Sequence, residues 1–213
     1  MNRSAVNRPL IALGLVISCM VGSSCATKTE LSSVWKSDAP ETRPMDQILV
    51  IAIAENDTKR RSFEDSFASA LGERGVDAVP SYRILPNTEQ LSKESIQQAI
   101  RGRGFQGVLA TQLVRIDEHE KYVPPTTYVT PGYHGRGLYG YYGRGYEVVH
   151  QPGYTVHTTI VRLETHLYDA ISAELVWAAH SDTLNPKSID DGIRSVTKKL
   201  SKRLESDGFT PGK

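Results

Sequence analysis

The sequence predicts a mixed α/β fold of the α+β kind: a two-layer domain with helices packed on a mixed five-stranded sheet, in the order β-α-β-α-β, long arm, β-β-α. Three observations predict it. Ile48 to Ala54 (ILVIAIA) is a continuous apolar run, as in a strand covered on both faces. Val156 to Tyr168 alternates, with Val161, Leu163 and Leu167 on one side and Arg162, Glu164 and His166 on the other, as in a half-buried strand. Ile189, Ile193, Val196, Leu200 and Leu204 recur at intervals of three and four, the strongest amphipathic helical pattern in the chain.

The intervening elements follow from local chemistry. Phe63, Phe67 and Leu71 recur every fourth residue on a helix of about Arg60 to Arg74, which Gly75 ends. Val76 to Val79 is a short strand closed by Pro80. Ser92 caps a second helix carrying Ile96, Ala99 and Ile100 and stopping at Gly102. Val108 to Ile116 is the third strand, and the β-α-β-α-β order implies parallel strands with right-handed crossovers. After the alternating strand, Asp169 to Ala173 turns the chain and Glu174 to Thr183 returns antiparallel. Asn185 and Pro186 suit the N-cap and N1 positions of the last helix, and Asp207-Gly208 stops it.

The chain opens with MNRSAVNRPLIALGLVISCMVGSSC: Arg3 and Arg8 without an acid, an apolar run, then small residues before Cys25. This is the layout of a secretory signal peptide. Leu10 to Val21 is 12 residues, short of the roughly 17–25 that span a bilayer as a helix. Two cysteines compete as its end. Val16-Ile17-Ser18-Cys19 has a branched apolar residue three places before the cysteine, but cutting there leaves a minimal apolar core. Gly22-Ser23-Ser24-Cys25 is followed by the polar Ala26-Thr27-Lys28, and Cys25 is preferred. Residues 1–24 are then the signal peptide, 25–46 a polar tether broken by Pro40 and Pro44, 47–208 one domain, and 209–213 a tail. Trp35 interrupts the tether, and its expected place is a short edge segment on the domain surface.

Removing 1–24 takes two arginines and no acid, so the formal charge falls from +1 to −1. That gives no electrostatic case for nucleic acid. One cysteine then remains, so no intrachain disulfide is available. Gly102-Arg-Gly104-Phe-Gln-Gly107 and Gly135-Arg-Gly137-Leu-Tyr-Gly140 both spell GxGxxG. The first follows a helix and precedes a strand, the reverse of the dinucleotide-binding context, so turn glycines are expected. There is no HExxH, GxSxG or P-loop, and Asp117-Glu118-His119-Glu120 reads as a solvated strand end. Neither an enzyme, nor a metal, nor another cofactor is expected.

The stretch 117–155 is an inserted arm. Tyr122 to Tyr154 holds eight of the ten tyrosines and seven of the 17 glycines, in a connection far longer than compact domains usually use. A projecting, hairpin-like contact surface is expected, with a short strand at Glu147 to Val149. Tyr133, Arg136, Tyr139, Tyr141, Tyr142, Arg144 and Tyr146 are the candidate partner-binding residues, because tyrosine offers large amphipathic area at low entropy cost.

The Gly22-Ser23-Ser24-Cys25 end of the signal peptide resembles the lipobox of bacterial lipoprotein precursors. With its element order, the chain resembles bacterial envelope lipoproteins and, more loosely, the small α/β domains of periplasmic scaffold and accessory lipoproteins. These include the amino-terminal domain of the Tol-system periplasmic protein and the lipoprotein activators of penicillin-binding proteins. The resemblance implies cleavage before Cys25, acylation there (palmitate included), and a non-enzymatic module that binds an envelope protein. A peptidoglycan- or glycan-binding module is the alternative. Ala26, where inner-membrane retention in enterobacteria uses Asp, implies an outer-membrane, periplasm-facing protein.

Overall fold

The structure is a computed structural model that describes residues 27–38, 44–85, 92–131 and 146–212. Among these residues the strands are β1 (Lys28–Lys36), β2 (Gln47–Ile53), β3 (Asp77–Pro80), β4 (Gly107–Val123), β5 (Thr126–Pro131), β6 (Tyr146–Gln151), β7 (Tyr154–Asp169) and β8 (Leu175–Leu184). The helices are α1 (Asp57–Gly72), α2 (Lys93–Ile100) and α3 (Ile189–Ser206). The fold is the expected mixed α+β, with an open sheet. That sheet has six strands rather than five, ordered β1-β8-β7-β4-β2-β3. β2 runs parallel to β3 and β4, and the remaining pairs are antiparallel.

The sixth strand is β1, in a stretch expected to be tether. Thr29 is buried, its hydroxyl 2.9 Å from Thr183 Oγ1 and 2.7 Å from Ser195 Oγ. Leu31 and Val34 pack against the core. A bulge between Leu31 and Ser33 breaks the two-residue period, which is why the strand does not read as one from its sequence.

The main core lies between the sheet and the helix pair α1/α3. Ile48, Val50, Leu109, Leu167 and Trp177 meet Phe63, Phe67 and Leu71 from α1 and Val196, Leu200 and Leu204 from α3. The second helix is a correction to the two-layer expectation. α2 covers the opposite face, where Ile96 and Ile100 pack on Leu49, Ile51, Phe105 and Val108, so one end of the sheet is sandwiched. This accounts for the burial of the whole Ile48 to Ala52 run, while Ile53 emerges into solvent.

The ends of the helices follow their caps. Asn56 Oδ1 accepts from the Lys59 amide at 2.9 Å, and Ser92 forms a reciprocal capping box with Ser95. The last helix begins later than expected: Ser188 is its N-cap, with Oγ accepting from the Asp191 amide at 3.1 Å. Asn185 instead holds a left-handed turn (φ 44°), and its side chain accepts from the Thr159 amide at 2.7 Å. Trp177 donates from Nε1 to Asp207 at 2.9 Å. Phe209, expected in the tail, is fully buried and accepts from the Met45 amide at 2.8 Å, so the core extends past Gly208.

Candidate functional site

Among the described residues, α2 leaves its face of the sheet uncovered over much of β4, β7, β8 and β1. Strand register then sets the side chains of that face in rows, because alternate residues of a strand share a side. One row is Gln112, Glu164, His180 and Ser33, and the next is Arg115, Arg162, Asp182 and Glu30. On the other side of the first row come Ala110, His166, Ala178 and Trp35. A bulge between Leu113 and Arg115 brings Arg115 into the charged row and leaves Val114 exposed.

Contacts run within each row and outward to His166 on one side and Asp117 on the other. Glu164 accepts from Gln112 Nε2 at 2.9 Å, and its Oε1 lies 3.0 Å from His166 Nε2 and 3.7 Å from His180 Nε2. The Gln112 hydrogen bond and the two neighbouring imidazoles hold its carboxyl below the usual carboxylate range. His166 Nδ1 lies 3.0 Å from the Tyr168 hydroxyl. Arg162 Nε lies 3.2 Å from Asp182 Oδ1 and 3.6 Å from Asp117 Oδ2, while Arg115 Nε reaches the same Asp117 oxygen at 3.1 Å. A depression of about 390 Å³ is lined by Ser32, Val114, Arg115, Arg162, His180 and Asp182. Trp35 stands at the rim of this face on the edge strand, half exposed at 51%.

Chemically, this is a braced polar face. Acids and bases stand in contact with one another, and these contacts hold the side chains in place before any partner arrives. Asp117 is engaged by two arginines, and Glu120 lies 3.1 Å from His157 across the β4–β7 pair. Among the described residues no group of three His, Cys, Asp or Glu side chains is arranged to hold a metal ion. In the 102–107 glycine motif, Gly102 and Gly104 have φ of 70° and 80° in the turn after α2. Gly107 opens β4 where a Cβ would lie 2.5 Å from Met45 Sδ. The three glycines thus serve a turn and a close packing contact.

The second surface is the arm. Beyond the end of β8, β4 and β7 continue as a two-stranded ribbon, Glu118–Val123 against Thr159–Tyr154, followed by the β5–β6 pair. The regular ladder runs well past the expected third strand, and β6 is longer than the expected Glu147–Val149 strand. Tyr122, Tyr128, Val129, Val148, Tyr154 and Val156 are exposed along it. At the junction a Cβ on Gly153 would lie 2.5 Å from the Tyr122 hydroxyl, so glycine lets that ring cross the opposite strand. Of the candidate partner-binding residues, Tyr146 opens β6 opposite Pro131. Tyr133, Arg136, Tyr139, Tyr141, Tyr142 and Arg144 lie outside the described residues, as does Cys25.

Half of the polar face was visible in the sequence: the alternation from Val156 to Tyr168 puts Arg162, Glu164 and His166 on its polar side. Gln112, Arg115, Asp182 and His180 carried no such signal, because only cross-strand register brings them alongside.

No protein-family model and no curated protein matches the sequence. Among solved structures, the chain is similar in fold to the PelC dodecamer from Paraburkholderia phytofirmans. That match has 16% identity and a TM-score of 0.42, covering 84% of this chain and 97% of the PelC chain. A point variant of the same PelC gives equal identity and TM-score. The lipoprotein GNA1162 from Neisseria meningitidis is also similar, at 12% identity and a TM-score of 0.39, covering 75% of this chain and 98% of that one. Among the described residues, no helix is long and apolar enough to cross a membrane.

Proposed function

We propose that this chain is a non-enzymatic lipoprotein of the outer membrane, acylated on Cys25 and facing the periplasm. Its domain serves as a protein-interaction module of the cell envelope. The signal-peptide layout ending in Gly22-Ser23-Ser24-Cys25 supports the anchor. The observation that carries the module is the bare four-stranded face, set with braced charges and rimmed by Trp35. Arginine, tryptophan and tyrosine are the side chains that dominate protein contacts, and prior bracing lowers the entropy lost on docking.

Three measurements test the reading. Palmitate labelling is expected to disappear in Cys25→Ser and persist in Cys19→Ser; the reverse pattern refutes the anchor assignment. A photo-crosslinking amino acid at Trp35 or Val114 is expected to give a discrete protein adduct in cells, and one at the exposed Lys198 none. Equal adducts at all three positions refute the contact face. Sedimentation of the mature chain with purified peptidoglycan, weakened by Trp35→Ser, would replace the protein partner with a glycan.

A further inference from the structure

We infer that the β-ribbon arm is a second membrane contact, lying in the headgroup layer of the same bilayer that holds the acyl chains of Cys25. The inference rests on the proposed acylation of Cys25 and adds to it a place and an orientation for the domain.

The geometry begins with β1. Lys28 is level with Leu184, which is level with Ile160, which pairs with Asp117. β1 therefore starts at the end of the sheet from which the ribbon projects, and runs away from it to Lys36 opposite Trp177. Thr27 is fastened there as well: its hydroxyl bonds Asp191 in the first turn of α3, and its carbonyl accepts from Ser195 Oγ at 3.1 Å. Cys25 is only three residues before Lys28. Fully extended, three residues reach about 10 Å. The ribbon runs six residues beyond Asp117 to Val123, which is about 20 Å at the rise of a strand, and β5–β6 follows. The anchor thus lies nearer to that end of the sheet than the arm's reach, so a bilayer lying across this end meets the arm.

The arm's chemistry suits that position. In the described part of the arm, residues 122–131 and 146–156, Glu147 is the one Asp, Glu, Lys or Arg, while Asp117 to Lys121 just before it are nearly all charged. Tyr122, Tyr128, Val129, Val148 and Tyr154 are exposed on the described part. Tyrosine favours the membrane–water interface, where its ring is buried and its hydroxyl stays wet. A two-stranded ribbon has unpaired N–H and C=O groups along both edges, and these exclude it from the hydrocarbon core. The headgroup layer remains.

The experiment uses the lipidated mature protein in vesicles of phosphatidylethanolamine and phosphatidylglycerol. An environment-sensitive fluorophore is attached to Val148→Cys on the arm or to Ile171→Cys in the β7–β8 turn at the far end of the sheet. The Val148 label is expected to shift to the blue and to be quenched severalfold more strongly by headgroup-nitroxide lipid than the Ile171 label. In parallel, full-length mature Cys25→Ser protein is floated with the same vesicles. Joint replacement of Tyr122, Tyr128 and Tyr154 by Ser should lower its binding about tenfold, equivalent to about 1.4 kcal/mol. Equal quenching at Val148 and Ile171, or flotation indifferent to the tyrosines, overturns the inference and leaves Cys25 acylation standing. Palmitate labelling that survives Cys25→Ser removes the anchor and the inference with it.

Discussion

The buried pair Arg60–Glu64 gives the sharpest test of how the domain is held together. Both side chains are fully buried, one turn apart on α1, with Arg60 Nε 3.1 Å from Glu64 Oε1. Arg60 Nη2 donates to Ser81 Oγ and to the Leu85 carbonyl, each at 2.8 Å. Glu64 accepts from the Ala52 and Tyr82 amides at 3.0 Å and from Ser81 Oγ at 2.6 Å. The carboxylate thus joins the end of β2 to the segment after β3, and Glu64→Leu leaves the buried guanidinium with Asp57, at 3.8 Å, as its nearest counter-charge and two amides without an acceptor. Breaking a buried pair from one side costs about 3–5 kcal/mol. That is a large share of a domain's roughly 5–15 kcal/mol. For a chain of this size it is a fall in melting temperature of about 6–20 °C. Arg60→Leu/Glu64→Leu removes both charges and restores part of the loss. It cannot restore all, because the Ala52 and Tyr82 amides still lack an acceptor, at about 1–3 kcal/mol each. Thermal and urea unfolding of the two single variants and the double variant completes the cycle. A Glu64→Leu cost below about 1 kcal/mol, or strictly additive singles, would refute the account of this network.

Leu200→Ala on the buried face of α3 should cost about 2–5 kcal/mol in urea unfolding, and exposed Lys199→Ala almost nothing. The lowered pKa of Glu164 means that its contribution to stability is present above the ordinary value of 4.5 and is lost as pH falls through the folded-state value. Melting temperature should therefore drop more steeply below that pH in the wild type than in Glu164→Gln. Replacing Pro124 to Pro152 by a short Gly/Ser turn should leave circular dichroism and melting temperature nearly unchanged, since loop closure changes by only about 0.6 kcal/mol per doubling of length. Collapse of the domain in that variant would show that the arm belongs to the core.

Much of the fold was legible because single periods decide it. The Phe63-Phe67-Leu71 spacing and the Ile193-Val196-Leu200-Leu204 stripe meet Ile48, Val50 and Ala52 in one cluster, while Leu49 and Ile51 of the same apolar run enter a second one on the opposite face. What the sequence concealed depends on long-range pairing. Ser188 and Asn185 are both competent caps, and the hydrogen bond that the Thr159 amide donates to the Asn185 side chain distinguishes them. α2 reads as amphipathic wherever it packs, so nothing in Ile96, Ala99 and Ile100 says which face of the sheet it covers. The polar face was half visible for the same reason: alternation shows which β7 side chains point outward, and register alone shows what stands beside them.

The strand least visible in the sequence has the largest consequence. A polar, proline-flanked stretch with one tryptophan resembles a tether, and a tether of some twenty residues would let the domain sit about 25 Å or more from the bilayer and turn freely. Locking Lys28–Lys36 into the sheet edge shortens that leash to the few residues before Thr27. The hydroxyl contacts of Thr29 with Thr183 and Ser195 therefore act on more than one link of the chain. They complete an edge strand, extend the polar face as far as Trp35, and place Thr27 at the end of the sheet from which the ribbon projects. If the ribbon end is turned to a bilayer, as inferred above, the polar face stands on the flank of the sheet, beside that bilayer. The proposed anchor, arm and contact face all depend on this one short strand, and weakening β1 should disturb all three together.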